Sequence, residues 1–232
     1  MKRLLLISNS TQHGQAYLEH CAAEIRDFLG TARRVLFVPY ALHDHDAYAA
    51  TAADAYGRLG CTLQSAHQSP RPAELLDGVD AVFTGGGNTF RLLKALYDLG
   101  LREPLAAKVR AGMPYIGTSA GSNIACPTIR TTNDMPIVEP PSFRALDLVP
   151  FQLNPHYLDP PSDSTHMGET RETRIREFLE ENDTPVVGLR EGGILRIENR
   201  EMSLRGASAR VFLPGGAAEE HPPGADLSGL LG

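Results

Sequence analysis

The sequence predicts an α/β fold in which a mostly parallel sheet has helices on both of its faces. Short apolar runs alternate with segments of helical periodicity along the first half of the chain. The run LLLIS at residues 4–8 is continuously apolar, which is typical of a strand buried on both faces. Such alternation predicts βαβ units with right-handed crossovers.

The remaining elements of the first half follow in chain order. Residues 17–29 carry apolar side chains at helical spacing, and Gly30 follows where a helix C-cap belongs. Further strands are predicted at residues 35–38, at residues 81–83 and in MPYIG, and further helices in AYAATAADAYGRLG, at residues 91–99 and at residues 104–109.

The second half is less regular. Residues 127–161 are rich in proline and predict irregular chain over the carboxyl ends of the strands, where functional loops tend to lie. Beyond them, GETRETRIREFLEEN predicts an amphipathic helix and TPVVGL a strand, while ILRIE, MSLR and RVFL predict short antiparallel strands at one edge. No linker divides the chain, so residues 1–232 are expected to form one domain with a loosely held tail at 215–232.

Composition excludes several classes of protein. Hydrophobic residues make up 42% of the 232 positions and charged residues 22%, as in soluble globular proteins. A net charge of -6 argues against a nucleic-acid partner. The apolar run at 4–7 is too short for a membrane span or a signal peptide, so a cytoplasmic location is expected. Three cysteines without a CxxC pair indicate no disulfide framework or zinc knuckle.

The segment GTSAG at residues 117–121 matches the G-x-S-x-G pattern of a nucleophile elbow. It lies between a predicted strand and SNIA, which can open a helix, and this is the context that the motif requires. Small flanking residues suit a serine held in a strained turn, and the following helix directs its N-terminal dipole at a developing oxyanion. Ser119 is therefore a candidate nucleophile, although glycine and serine are also common in ordinary turns.

A serine nucleophile needs a base. Among the eight histidines, His156 stands apart because the apolar stretch FQLNPH leads to it and predicts a strand end beside the elbow. The run His43-Asp44-His45-Asp46 contains metal-ligand residue types, but consecutive residues rarely converge on one ion. No metal and no cofactor are therefore expected.

The glycine-rich loop TGGGNTF lies between a predicted strand and a predicted helix. It lacks the Lys-Ser/Thr ending of a P-loop, and Phe90 replaces the third small residue of a dinucleotide fingerprint. We therefore expect the amide of Gly86 or Gly87 to be one oxyanion donor and the amide of Ala120 the other. Asn88 would then be available to contact substrate.

With these motifs in view, the sequence resembles peptidase E, the α-aspartyl dipeptidase family of serine peptidases. The resemblance covers nearly the whole chain and is carried by LLLISNST, GGGNTF, YIGTSAGSNIACPTIRTTNDMPIV, ALDLVPFQLNPH, GETRETRIREFL and GLREG. It implies a cytoplasmic enzyme without a metal that cleaves dipeptides with an N-terminal aspartate. It also implies a fold like that of class I glutamine amidotransferases, which is flavodoxin-like, with Ser119 as nucleophile and His156 as base.

The acid of the triad has two candidates. Asp134 lies between Ser119 and His156 in sequence, the order found in α/β-hydrolases, whereas Glu191 follows a strand and could reach the imidazole from the other side. The resemblance supports both. Asp134 is slightly favoured as essential, with the alternative that it organises the site or binds the substrate amine while Glu191 orients His156.

An aspartyl substrate also needs a group for its side-chain carboxylate. Arg171 can offer a bidentate fork, although its helical spacing with other charged residues also fits a solvated helix face. The expected partner is thus a small Asp-Xaa peptide, and a homodimer is left open. The alternatives are a cyanophycinase-like exopeptidase acting on a polymer and a non-catalytic binder of aspartate or acidic peptides.

Overall fold

The computed structural model describes residues 2–159 and 168–232, whose strands form two sheets. A seven-stranded sheet has the order β3-β2-β4-β5-β1-β8-β9, and a four-stranded sheet has the order β11-β10-β7-β6. The strands are β1 Arg3–Ile7, β2 Arg34–Val38, β3 Thr62–Ser65, β4 Ala81–Thr84, β5 Tyr115–Thr118, β6 Gln152–Pro155, β7 Val186–Leu189, β8 Ile194–Glu198, β9 Glu201–Arg205, β10 Ala209–Phe212 and β11 Glu219–His221.

Helices cover both faces of the large sheet. They are α1 Ala22–Leu29, α2 His45–Arg58, α3 Thr89–Asp98 and α4 Arg102–Arg110; the short α5 Ala120–Asn123 follows β5, and α6 Arg171–Glu180 packs on the second sheet instead. Side chains of β1 alternate between two cores: Leu4 and Leu6 pack with α3 and α4, whereas Leu5 and Ile7 pack with α1 and α2. Burial on both faces is what a continuous apolar strand predicts.

The predicted α/β class with a mostly parallel sheet is confirmed. Strands β1 to β5 pair in parallel within the large sheet. ILRIE and MSLR form β8 and β9, which extend this sheet in antiparallel fashion at its edge, as predicted. The carboxyl ends of β4 and β5 therefore lie side by side, where a glycine loop and an elbow can meet.

The second sheet differs from the prediction. RVFL forms most of β10, which pairs with β7 and β11 instead of extending the edge of the large sheet. Within the segment 127–161, otherwise expected to be irregular, residues 152–155 form β6, the strand that FQLNPH predicts before His156, and it pairs with β7 in parallel. Val186 and Phe212 pack with Ile175 of α6, so this sheet buries an apolar face of its own.

The tail is held more firmly than the sequence suggested. Strand β11 pairs with β10, and Leu227 is buried against the main core. A turn of 3-10 helix, Ser228–Leu231, follows it. The longest α-helix of the described chain has 14 residues, and none is long and apolar enough to cross a membrane.

Candidate active site

Ser119 lies in a strained turn between β5 and α5. Its φ of 50° and ψ of -109° are in a region that L residues rarely occupy. A side chain at Gly117 would bring its Cβ 2.5 Å from the carbonyl oxygen of Gly121, and one at Gly121 would overlap the backbone of Thr84. The Ser119 amide donates to the Ile7 carbonyl at 2.9 Å. The turn is thus fixed by neighbouring backbone, as an elbow requires.

His156 follows the last residue of β6 and faces this serine. Its Nε2 lies 3.0 Å from the Ser119 Oγ, which is hydrogen-bonding distance. The His156 backbone has a positive φ of 54°, and its amide donates to the Ser8 Oγ at 2.9 Å. Ser8 in turn donates to the carbonyl of Leu189 at 2.8 Å. One buried hydroxyl therefore connects the end of β1 with the ends of β6 and β7.

Of the two candidate acids, the structure places Glu191 on the imidazole. Its Oε1 lies 2.7 Å from the His156 Nδ1. The carboxylate of Asp134 instead accepts hydrogen bonds from Thr89, at 2.7 Å from the backbone amide and 2.6 Å from the hydroxyl. Both bonds go to Oδ2, and Oδ1 accepts none from the residues that the structure describes. Asp134 thus holds the first residue of α3 beside the glycine loop.

Asn88 caps the same helix. Its Oδ1 accepts from the Arg91 amide at 3.0 Å, and its Nδ2 donates to the Met135 carbonyl at 2.9 Å. Such an Asn cap satisfies one of the unpaired amides at a helix start. Both ends of the side-chain amide are thereby engaged within the protein, and a contact with substrate stays a prediction.

The glycine loop passes close to Ser119. A Cβ on Gly86 would lie 3.1 Å from that of Ser119, and one on Gly87 would lie 2.6 Å from the Ala41 carbonyl oxygen. Gly87 also has a φ of 131°, which only glycine adopts without strain. Its amide donates to no other group within residues 2–159 and 168–232. The amide of Ala120, at the first position of α5, has no acceptor within its helix.

Two cavities adjoin these groups. The first, of about 830 Å³, has Ser119 in its wall together with Tyr17, Leu42 and Tyr48. The second, of about 740 Å³, is lined mainly by polar and charged side chains: Asn133, Asp159, Arg171, Arg190 and Glu191. His156 and Asp134 line both cavities, so they stand at the boundary between an aromatic compartment and a charged one.

Comparison with known proteins identifies the family. The family model described as Peptidase family S51 matches residues 4–205. The chain belongs to this family. It is 58% identical to Peptidase E of Streptomyces coelicolor, over 98% of this chain and 94% of that protein. It is 47% identical to the "Probable alpha-aspartyl dipeptidase" of Drosophila melanogaster, over 99% and 98%.

A solved structure shows the same fold. The crystal structure of a peptidase from an acI-B1 Actinobacterium superposes with a TM-score of 0.70 at 15% sequence identity, covering 98% of this chain and 96% of that one. At this identity the likeness concerns the fold alone. It supports the architecture of a sheet with flanking helices that the S51 chain displays.

Arg171 is the first residue of α6 and points its charge at the second cavity of this S51 chain. Burial lowers the pKa of its guanidinium, and so does neighbouring Arg174, whereas Asp134 opposes both effects. It forms no ion pair with the described residues. A partly buried cation without such a partner favours an anionic ligand.

Arg190 and Asp159 also line this cavity, and the sequence did not single them out. Arg190 pairs with Asp159 at 2.7 Å and with Glu220 at 2.5 Å, and the hydrogen bonds that it donates to Glu220 raise the pKa of its guanidinium. The arginine is thus fully engaged and braces the segment that precedes Glu191. The signal available in the sequence was position alone: Arg190 immediately precedes Glu191, and Asp159 follows soon after His156.

No cluster of three or more metal-ligating side chains occurs among residues 2–159 and 168–232. Within the run of residues 43–46, Asp44 caps α2 by accepting from the Ala47 amide at 2.9 Å, and Asp46 pairs with His67 at 2.9 Å. These polar groups therefore serve the start of α2.

Proposed function

We propose that this chain is a serine dipeptidase that releases the N-terminal residue of Asp-Xaa dipeptides. The observation that carries the proposal is the line of contacts from Glu191 through His156 to Ser119, with Arg171, a cation that has no ion pair among the described residues, in the adjoining cavity. Membership of peptidase family S51 supports it. So do the names of its relatives, Peptidase E and a probable alpha-aspartyl dipeptidase.

Acylation begins when the Ser119 Oγ attacks the peptide carbonyl carbon. His156 Nε2 accepts the hydroxyl proton, while its Nδ1–H donates to Glu191 and so fixes the tautomer. The glutamate also stabilises the imidazolium that forms. The same proton then passes to the leaving amine as the peptide bond breaks, which frees the second residue and leaves an aspartyl ester on the serine.

Negative charge develops on the carbonyl oxygen during this step. The amides of Gly87 and Ala120 supply two preorganised donors for it, in a turn that the surrounding backbone holds rigid. Deacylation repeats the sequence with water: His156 takes a proton from water, the hydroxide attacks the ester, and Ser119 recovers its proton. The products are free aspartate and the released amino acid.

The two cavities fit the two ends of the substrate. Arg171 would hold the aspartyl side-chain carboxylate in the charged cavity, and the unengaged Oδ1 of Asp134 would take the substrate ammonium. This gives Asp134 a binding role and Glu191 the orienting role. The second residue would lie in the compartment formed by Tyr17, Leu42 and Tyr48, which is built mainly of apolar surface.

The direct test is hydrolysis of Asp-Leu by purified protein and by its Ser119→Ala variant. We expect steady turnover by the wild type and a loss of at least 10³-fold in kcat by the variant, since nucleophile removal costs far more than loss of one oxyanion donor. Normal turnover by Ser119→Ala would contradict the mechanism.

The same preparations separate the alternatives. Turnover of an aspartyl polymer without turnover of the dipeptide would indicate a cyanophycinase-like exopeptidase. Tight aspartate binding without product or covalent labelling of Ser119 would indicate a binding protein.

A further inference from the structure

Two tyrosines, Tyr17 and Tyr48, lie behind the glycine loop and form no hydrogen bond with the three side chains of the proposed triad. Tyr48 of α2 lies against Gly85 and Gly86, so closely that a side chain at Gly85 would overlap its hydroxyl. The Tyr48 hydroxyl donates to the carbonyl oxygen of Gly86 at 3.1 Å. The Tyr17 hydroxyl donates to that of Tyr48 at 3.2 Å. The hydroxyls thus form a short chain that ends on the loop.

The hydrogen-bonded pair of hydroxyls ends on the peptide unit that carries the proposed oxyanion donor. The carbonyl of Gly86 and the amide of Gly87 belong to one planar unit, in which a trans bond directs C=O and N–H to opposite sides. Fixing the oxygen therefore fixes the direction of the N–H. We propose that Tyr48, supported by Tyr17, is a positioning residue that orients the Gly87 amide for the oxyanion. The inference rests on the proposed serine mechanism.

The rest of the loop explains why such a brace is needed. Backbone bonds hold it on either side, from the Gly85 amide to the Val38 carbonyl at 3.2 Å and from the Asn88 amide to the Ala41 carbonyl at 2.9 Å. Between these anchors lie Gly86 and Gly87, and glycine has the widest conformational freedom of all residues. The Tyr48 hydroxyl supplies the intermediate contact that restricts the rotation of this peptide plane.

The direction of the hydrogen bonds is unambiguous. A carbonyl oxygen only accepts, so Tyr48 must donate to Gly86 and accept from Tyr17. Burial raises the pKa of both phenols, so both hydroxyls stay protonated at neutral pH. Hydrogen bonds in such a chain polarise and strengthen one another. Tyr17 therefore reinforces the contact that Tyr48 makes.

The test replaces only the hydroxyl and keeps the ring that lines the first cavity. For Tyr48→Phe we expect kcat on Asp-Leu to fall on the order of 10-fold, less than the 10²-fold or more that follows loss of an oxyanion donor, with KM nearly unchanged. Tyr17→Phe should lower kcat by roughly 2-fold. The matched control is Tyr56→Phe on the same helix, whose buried hydroxyl has no hydrogen-bond partner among the described residues.

A second measurement separates positioning from general loosening of the fold. An aspartyl boronic acid adds to the serine and mimics the tetrahedral intermediate, whereas free aspartate is itself a product and does not form such an adduct. We expect Tyr48→Phe to weaken inhibition by the boronate about as much as it lowers kcat, and to leave inhibition by aspartate unchanged.

An unchanged kcat in Tyr48→Phe would overturn the inference. So would an equal loss in Tyr56→Phe, or equal weakening of boronate and aspartate. Absence of turnover in the wild type would instead contradict the proposed function itself, which distinguishes the two failures.

Discussion

Each of the two sheets presents two functional groups of the candidate site at neighbouring strand ends, but these groups are held in place by different kinds of contact. In the large sheet, β4 and β5 end beside each other and present Gly87 and Ser119; in the small sheet, β6 and β7 do the same with His156 and Glu191. The first pair is held mainly by backbone, through glycines, close carbonyl contacts and amide hydrogen bonds, and the Tyr48 hydroxyl adds one side-chain contact on the glycine loop. The second pair is held by side chains, and both of its functional groups are more than a third exposed.

This difference matches what each half must do. Oxyanion donors act best when they need no rearrangement during the reaction, so rigid backbone is well suited to them. The base gains and loses a proton during the reaction, and its acid partner stabilises the charge that forms, so side chains that can adjust are suited to this half. The halves meet at Ser8, which directly follows β1 and hydrogen-bonds to Leu189 at the end of β7 and to His156 after β6.

The largest expected effect on kcat comes from replacing each candidate acid by its amide. Glu191 lies on His156 in the small-sheet half, whereas Asp134 lies beside the glycine loop of the other half. For Glu191→Gln we expect kcat to fall by about 10³- to 10⁴-fold, because the imidazole loses both its tautomer control and its counter-charge. For Asp134→Asn, whose amide oxygen can still accept from Thr89, we expect a higher KM and a smaller change in kcat. Steady-state kinetics on Asp-Leu measures both.

The reverse pattern, a collapse of kcat in Asp134→Asn with Glu191→Gln nearly normal, would make Asp134 the acid. The base and its acid would then come from different parts of the molecule, and the small sheet would no longer supply both.

Next in size is the effect of the cation that faces the charged cavity. For Arg171→Met we expect kcat/KM on Asp-Leu to fall roughly 10- to 100-fold, the cost of a charge-assisted hydrogen bond, and activity on Asn-Leu to change little. Arg174→Met is the matched control, since Arg174 lies on the same helix and pairs with Glu169 in solvent. Equal losses on both substrates, or equal losses in both variants, would count against a specificity role for Arg171.

The smallest effect concerns the junction between the sheets. Ser8→Ala leaves the largely buried His156 amide without its acceptor, while the Leu189 carbonyl keeps the hydrogen bond from the Tyr157 amide, so we expect the free energy of unfolding to fall by about 1–3 kcal/mol. Because the His156 backbone is then less firmly held, kcat should also fall a few-fold. Chemical denaturation and kinetics check both values, with the half-buried Ser142→Ala, far from the junction, as the control. A stability loss without any change in kcat would show that the small sheet positions His156 without the hydrogen bond to Ser8.

Local signals in the sequence sufficed for much of this arrangement. Most strands of the large sheet, the GTSAG turn and the glycine loop each have a short-range pattern that dictates their conformation, whereas β3 was not predicted from the sequence. His156 was recognisable because an apolar strand leads to it. The α/β class followed from alternation alone, and the resemblance to a serine peptidase family agrees with the family that the chain belongs to.

Long-range partners were not readable in the same way. The strand propensity of RVFL is correct, but propensity does not say which sheet a four-residue strand will join. The bond from Asp134 to Thr89 and that from Tyr48 to Gly86 join residues far apart in sequence, and neither has a periodic signature. Tyr48 reads as an ordinary buried position of α2, since only tertiary structure shows where its hydroxyl ends.

The pairing of β1 with β8 has a consequence for the time at which the protein becomes active. Strand β1 is translated well before β8, although the two strands are neighbours in the large sheet. A nascent chain therefore carries Ser119 long before it carries His156 or Glu191. We expect synthesis itself to keep the peptidase inert until β8 has been translated, because contacts so distant in sequence form late.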